Sequence, residues 1–447
     1  MAANPTVPDG LVAVVKRDCP TCTLVAPVLA GLAGDRALAA VVSQDDPTFP
    51  PGVDGVVDDR DLDVSWTLGI ETVPTLLRME DGREVARLEG WRRGDWEAFV
   101  GVAPLGEGLP DYRPGCGSRT AEPGVADELA VRHHAARLRS RRVALAALED
   151  EAEALYERGW TDGLPVVAPT EARVLRMLEG TTRAPDEVVA VVPPDLVECT
   201  VEKVAVNAVL AGCKPEYLPV VLAAVEAACT DEFNIHGLLA TTWFSGPVVV
   251  VNGPVARAIG MNSGINALGQ GNRANATIGR ALQLVVRNVG GGRPGEVDRA
   301  TLGNPGKYTF CFPEDEGGSP WEPLSVERGV PAGRSAVTLF AGAGVQGLAD
   351  QRSREPEGLA ATMAAGLGGV GDPRMAAVWD ALLVVSPEHA RVFREGGWDK
   401  ARLRAELGRP SLLIVHAGGR AGMFSAIIAG WVSGAMGSQP VTREVRS

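Results

Sequence analysis

The chain has 447 residues, 45% of them hydrophobic but only 5% aromatic, and a formal net charge of −13. That length predicts about two to four domains, with cores of Val, Leu and Ala and with scattered glycines and prolines marking tight turns rather than disorder. The acidic balance argues against nucleic acid; no Lys/Arg-led apolar leader is visible, and the longest apolar run, Val415–Val432, is interrupted by Arg420 and several glycines, so neither secretion nor a membrane span is expected.

The predicted elements begin with a β-branched run at Leu11–Val15. Cys19-Pro20-Thr21-Cys22 follows at once, then a helix over Thr23–Leu32 and a strand at Leu38–Val42. Asp59–Leu68 reads as a helix. Thr75–Met79 and Glu84–Leu88 read as a hairpin around Glu80-Asp81-Gly82-Arg83. Gly90 and Trp91 lead into a helix with Trp96, Phe99 and Val100 on one face. Gly101–Gly117 reads as a linker, and residues 127–158 as one charged helix.

Beyond Trp160, helices are predicted over Glu202–Leu210, Glu216–Ala228 and Ala274–Val289, the last ending at Gly290-Gly291-Gly292. Pro247–Val251 reads as a buried strand, and Tyr308–Phe312 as another strand. From Gly333 onward, strands at Val337–Phe340, Leu382–Val385 and Leu412–Val415 alternate with helices at Leu359–Ala365, Pro387–Arg394 and Lys400–Leu407. That alternation predicts a parallel, doubly wound, Rossmann-like C-terminal part. The expected class is α/β throughout, with divisions at 1–105, 106–158, 159–332 and 333–447.

Seven cysteines occur, namely Cys19, Cys22, Cys116, Cys199, Cys213, Cys229 and Cys311. An odd count without a leader argues against a secreted disulfide scaffold and for the reducing cytoplasm, where a disulfide is catalytic and transient. A thiolate, not a thiol, attacks a disulfide. Cys19, between a strand and a helix, sits where free N–H groups and the helix dipole favour the thiolate. Cys22 lies one turn on and can resolve a mixed disulfide. Pro20 fits the first turn, where a missing N–H costs little. Asp18 beside Cys19 is expected to raise its pKa and slow it. A structural zinc would need two further ligands at matching spacing, and no second CxxC or HxxxH is present, so no metal is expected. Cys116, in Pro114-Gly115-Cys116-Gly117-Ser118, is placed on the linker, from which it could reach Cys19.

The CxxC and Thr72-Val73-Pro74-Thr75, which precedes the hairpin, together resemble the thioredoxin family over roughly the first hundred residues. The resemblance implies a thioredoxin fold, with Cys19 as nucleophile, Cys22 as resolving thiol and Pro74 as a cis-proline against the CxxC.

Four polar clusters stand out in the central body. They are Gly159–Val166; Glu198-Cys199-Thr200-Val201-Glu202-Lys203 leading to Asn207 and Cys213; Asn234-Ile235-His236-Gly237; and the run from Gly260 to Thr277. The last follows a buried strand and precedes a helix. Its glycines leave N–H groups free to face a ligand. Asn262, Asn266, Asn272, Asn275 and Arg273 offer donors suited to a carboxylate or phosphate; the alternative is a loop that satisfies its own backbone. Glu202, Lys203 and His236 are candidates for proton transfer, with Asn207 on the same helix. Cys199, Cys213 and Cys311 are candidates for a second thiol centre. Leu412–Val415, then His416-Ala417-Gly418-Gly419, then Arg420–Ser425 read as a strand, a glycine turn and a helix, an anion-binding corner that could close over the central site, the alternative being plain strand–helix packing.

Gly159–Pro165, Val201–Ala208, Gly271–Arg280, Lys307–Cys311 and Ser319–Leu324 resemble an uncharacterised bacterial family. Its members occur beside, or fused to, small (seleno)proteins with a UGSC motif. The resemblance implies such a partner in trans and assigns no catalytic residue.

The leading expectation is therefore a thiol-dependent oxidoreductase. Its CxxC domain would supply electrons to a small-molecule reduction, or to cleavage of a C–S or C–heteroatom bond, in the central body or on the partner. Tethering keeps the dithiol concentrated, on the order of millimolar. The redox-active disulfide is the only cofactor expected. A non-redox lyase or hydrolase, and a thiol-reducing assembly factor, are the alternatives.

Overall fold

A computed structural model of the chain describes residues 7–146, 148–369, 379–420, 422–434 and 437–446. It divides into two compact units, Met1–Ala135 and Ala136–Ser447.

In the first unit the order is β1 (Gly10–Val15), α1 (Pro20–Gly34), β2 (Ala40–Ser43), β3 (Val57–Asp58), α2 (Asp63–Thr67), β4 (Thr72–Val73), β5 (Thr75–Glu80), β6 (Arg83–Glu89), β7 (Trp91–Arg92), α3 (Arg93–Val100), β8 (Tyr112–Arg113), β9 (Cys116–Gly117) and α4 (Val125–His134). The sheet runs β3-β2-β1-β5-β6. β1 lies in the middle, parallel to β2 and antiparallel to β5. Its run Leu11–Val15 is buried throughout, which is why it reads as unbroken apolar sequence.

The expected linker at 101–117 is instead packed. Trp91, fully buried and edge-on to Trp96 at 4.9 Å, donates its indole N–H to Pro110 O at 2.6 Å. The Arg93 guanidinium holds the carbonyls of Leu105, Gly106 and Leu109. β8 pairs with β7, and β9 pairs with β4. Glycine and proline here shape a tight path over two tryptophans. The expected charged helix at 127–158 is also broken. Among the described residues there, Val125–His134 and Glu151–Glu157 alone are α-helical, because the amides of Arg139 and Ser140 donate to the buried Glu202 carboxylate, each at 2.8 Å. A tertiary acceptor takes amides that a helix would have used.

The second unit contains α5 (Glu151–Glu157), α6 (Glu171–Leu178), β10 (Val188–Val192), β11 (Val197–Thr200), α7 (Val201–Ala211), α8 (Leu218–Ala228), α9 (Ile235–Ala240), β12 (Gly246–Asn252), α10 (Pro254–Ala258), α11 (Arg273–Asn288), β13 (Cys311–Pro313) and α12 (Leu324–Glu327). It continues with β14 (Ala336–Ala349), α13 (Pro356–Gly368), β15 (Trp379–Val385), α14 (Pro387–Glu395), α15 (Lys400–Glu406), β16 (Leu413–His416), β17 (Phe424–Val432) and β18 (Val441–Glu444).

One sheet runs β13-β12-β14-β17-β15-β16, with β18 also on β14. It is mixed: β12 with β13 and β15 with β16 are parallel, and the other pairings are antiparallel. This corrects the expected doubly wound parallel sheet. A helix was expected after the glycine turn, over residues 420–425; at its end Phe424 and Ser425 instead open β17 (Phe424–Val432), apolar enough to insert between β14 and β15, and Ala421 lies outside the described residues. The central and C-terminal segments thus share one sheet, and residue 333 does not separate two sheets.

Side-chain alternation sorts this sheet into two faces. Val249, Val251 and Leu339 pack in one cluster with α7, α8 and α11. Leu383, Val385, Ile414 and Ile427 pack in another with α13, α14 and α15. Val248, Val250, Phe340, Val384, Val415 and Ile428 meet in a third, between the arms of the sheet. The two edges approach where Asp315 N–H donates to His416 O at 2.8 Å. The sheet is therefore curled, with helices outside it and an apolar interior. Among the described residues no helix is long and apolar enough to cross a membrane.

Candidate active site

Cys19 is the N-cap of α1 and is 1% exposed. The Cys22 N–H donates to its Sγ at 3.2 Å. Its Sγ lies 3.6 Å from Val73 O and 2.7 Å from Cys116 Sγ. The Val73–Pro74 peptide is cis. Hydrogen bonding from the Cys22 thiol, opposed by burial and aided by the Cys116 thiol and the Cys22 and Thr21 amides, lowers the Cys19 pKa to about 5. The expected upward push from Asp18 is thus overridden by donors aimed at the sulfur. Asp18 is exposed, and its N–H donates to Asp45 at 2.9 Å. Cys22 is fully buried; desolvation and its bond to Cys19 drive its pKa far up, so it stays a protonated donor. Cys116 is half-buried and is also raised, first by desolvation and then by its bond to Cys19.

Cys116 is brought there by backbone pairing. β9 runs antiparallel to β4, with Cys116 opposite Val73 and Gly117 opposite Thr72. Thr21 Oγ1 donates to Pro114 O at 2.7 Å. Gly115 has no room for a side chain, since a Cβ there would lie 2.3 Å from Thr72 Cγ2. The sequence placed Cys116 within reach of Cys19 but not on a strand, because two-residue strands carry no period to read.

A thiolate formed near pH 5 has a checkable consequence. Alkylation of Cys19 by iodoacetamide, followed residue by residue with mass spectrometry, should rise with pH to a plateau with its midpoint near 5. An ordinary cysteine would give a midpoint near about 8.5. A midpoint above 7 would sink the assignment.

The second unit holds the other candidates, and most are engaged in the fold. Glu202 is buried and caps the 139–140 amides, as described above. Lys203 Nζ donates to Glu198 O at 2.7 Å. Asn207 donates to Lys203 O at 2.9 Å and accepts from Asn288 at 2.9 Å. His236 is exposed at the start of α9. Cys199 and Cys213 are buried, and desolvation pushes both up to about 12; Cys311, fully desolvated, is also pushed up. None has the donors that make Cys19 a thiolate.

The asparagine run braces its own backbone. Asn272 caps α11 by accepting from Asn275 N–H at 3.0 Å, and donates to Gly260 O at 2.8 Å. Asn275 donates to Asn262 O at 2.8 Å and accepts from Asn262 N–H at 3.1 Å. Asn262 donates to Ile265 O at 2.9 Å, Asn266 to Gln270 O at 2.6 Å and Arg273 to Gly212 O at 2.9 Å. Of these five, Asn266 alone lines a pocket of about 540 Å³, together with Ser386, Gly418, Gly419 and Phe424. The glycine turn at 418–419 therefore does meet the asparagine loop, and Gly418 N–H donates to Ser263 O at 2.8 Å.

The Gly159–Val166 cluster finds its partner on α11. Arg280 donates through Nε and Nη2 to the two oxygens of Asp162, both at 2.8 Å, and to Pro165 O at 3.0 Å. Among the described residues no group of three or more His, Cys, Asp and Glu is placed to hold a metal ion. No protein-family model matches the chain, and no solved structure matches it.

Proposed function

We propose that residues 7–135 form a thioredoxin-like thiol–disulfide exchange domain with three working sulfurs. Cys19 thiolate attacks a disulfide RSSR and forms Cys19–S–S–R, releasing RS⁻. Cys116, deprotonated as it attacks, then displaces the second RS⁻ from Cys19 and leaves a Cys19–Cys116 disulfide; its proton goes to a departing thiolate. The net step converts RSSR, the Cys19 thiolate and the Cys116 thiol into the Cys19–Cys116 disulfide, one RSH and one RS⁻, which takes its proton from solvent. An external dithiol restores them. Cys22 acts as the donor that holds the Cys19 thiolate. The observation that carries this reading is the 2.7 Å approach of Cys19 and Cys116 beside a Cys19 lowered to about 5.

The electrons serve an acceptor outside the second unit's own thiols, because burial keeps Cys199, Cys213 and Cys311 protonated. A small disulfide fits that role, as does the oxidised form, a disulfide or selenenylsulfide, of a protein of the UGSC type. The lyase or hydrolase reading gains no support, since Glu202 and Lys203 are committed to backbone groups and His236 stands on the surface.

The test is to oxidise the full chain with a slight excess of oxidised glutathione under native conditions, then map its disulfides by mass spectrometry. Cys19–Cys116 should be the dominant pair. A dominant Cys19–Cys22 pair would make Cys116 a bystander, and the absence of any disulfide would remove the redox reading.

A further inference from the structure

The pocket of about 540 Å³ at one end of the curled sheet is walled by Val345, Val384, Phe424, Ile265 and Leu268. Its size falls within the range of small-molecule sites. At its rim Ser386 follows the last residue of β15 and is the N-cap of α14, a nine-residue helix with Pro387 in its first turn. Ser386 lies two residues after Val384, so strand alternation places both on the pocket side, and both line it.

Ser386 is a good N-cap residue type, and such a residue ordinarily accepts from an amide of the first turn. Here it makes no such bond. Its hydroxyl has no partner although the residue is only 8% exposed. Its own N–H donates to Ser425 Oγ at 3.4 Å. Ser425 in turn is committed elsewhere. His389 Nε2 faces Asp350 O at 3.1 Å, which can only accept, so Nε2 carries the proton and Nδ1 takes the Ser425 hydroxyl at 2.7 Å. The hydroxyl free to serve a ligand in this corner is therefore that of Ser386.

An unpartnered buried hydroxyl is costly, and an uncapped helix start attracts negative charge. One oxygen of a carboxylate would satisfy both, accepting the Ser386 O–H while facing the amides at the start of α14. Glu388, in that first turn, opposes an anion, but Arg391 pairs with it at 2.8 Å. We infer that this pocket binds a small carboxylic acid, with the carboxylate at Ser386 and the α14 N-terminus and a short apolar body against Val345, Val384 and Phe424. This site is independent of the thiol chemistry of the first unit.

The test uses the full chain and three probes of equal length: hexanoate, hexanamide and hexanol, measured by isothermal titration. Hexanoate should bind at least ten-fold more tightly than hexanol. Ser386→Ala should weaken hexanoate about ten-fold or more while leaving hexanol unchanged, since the lost bond is to a charged group. Nuclear Overhauser contacts from the hexanoate methyl should fall on Val345 and Phe424 in the wild-type protein, a readout that does not depend on the variant folding. Equal affinity for acid and alcohol, binding of neither, contacts elsewhere, or an unchanged Ser386→Ala would each overturn the proposal.

Discussion

Asp162→Ala should lower the stability of the 136–447 unit by about 3–5 kcal/mol, the range for breaking a buried ion pair from one side. Both side chains are largely buried, 14% exposed for Arg280 and 10% for Asp162, and they meet in a two-point fork at 2.8 Å. Arg280 also holds the carbonyls of Leu164 and Pro165, so one guanidinium ties the 159–166 turn to α11. The alanine variant leaves that guanidinium desolvated without its counter-charge. Urea unfolding followed by circular dichroism reads the loss directly. Replacing both residues, as Asp162→Leu with Arg280→Met, should recover most of it, because no buried charge is then left unpaired. A single-variant cost below about 1 kcal/mol would mean that the pair is solvated.

The second large effect falls on the exchange reaction. Cys19→Ser should abolish reduction of a small aromatic disulfide by the full chain, a loss of at least about a thousand-fold, because a serine hydroxyl is not ionised near neutral pH. Cys116→Ser should keep the first attack and lose resolution, so a Cys19 mixed disulfide accumulates in a single burst. Cys22→Ala should still resolve onto Cys116 but react more slowly below pH 7, since the hydrogen bond donated by the lost thiol is the largest influence lowering Cys19. Were Cys22→Ala the variant that traps the mixed disulfide, Cys22 would be the resolving thiol and the role given to Cys116 would fall.

The placement of Cys19 at the start of a helix was legible in the sequence. A cysteine between an apolar strand and a helix, with proline at the first helical position, is a local statement about backbone amides, and α1 begins there. The hairpin of β5 and β6 was readable for the same reason, as alternation plus a turn. Residues 101–117 misled because glycine and proline mark both linkers and tight packed turns, and only Trp91, Trp96 and Arg93, at a distance, decide which. The asparagine run misled in the same way. Its side chains suit a ligand and suit the loop's own carbonyls equally well, and most of those named serve the loop.

By itself the sequence determined what depends on neighbours within about a turn: the place of Cys19 at a helix start, the helix starts, the strand runs and the apolar balance. Sheet direction and partners were decided by tertiary structure. Residues 424–432 form β17 because insertion between β14 and β15 satisfies their backbone and buries the central run 427–430 on both faces. Likewise the pairing of β9 with β4 brings Cys116 to Cys19 across 97 positions of chain. Closing a loop of that length is an entropic cost that no local pattern encodes, so its outcome appears only when the whole unit is packed.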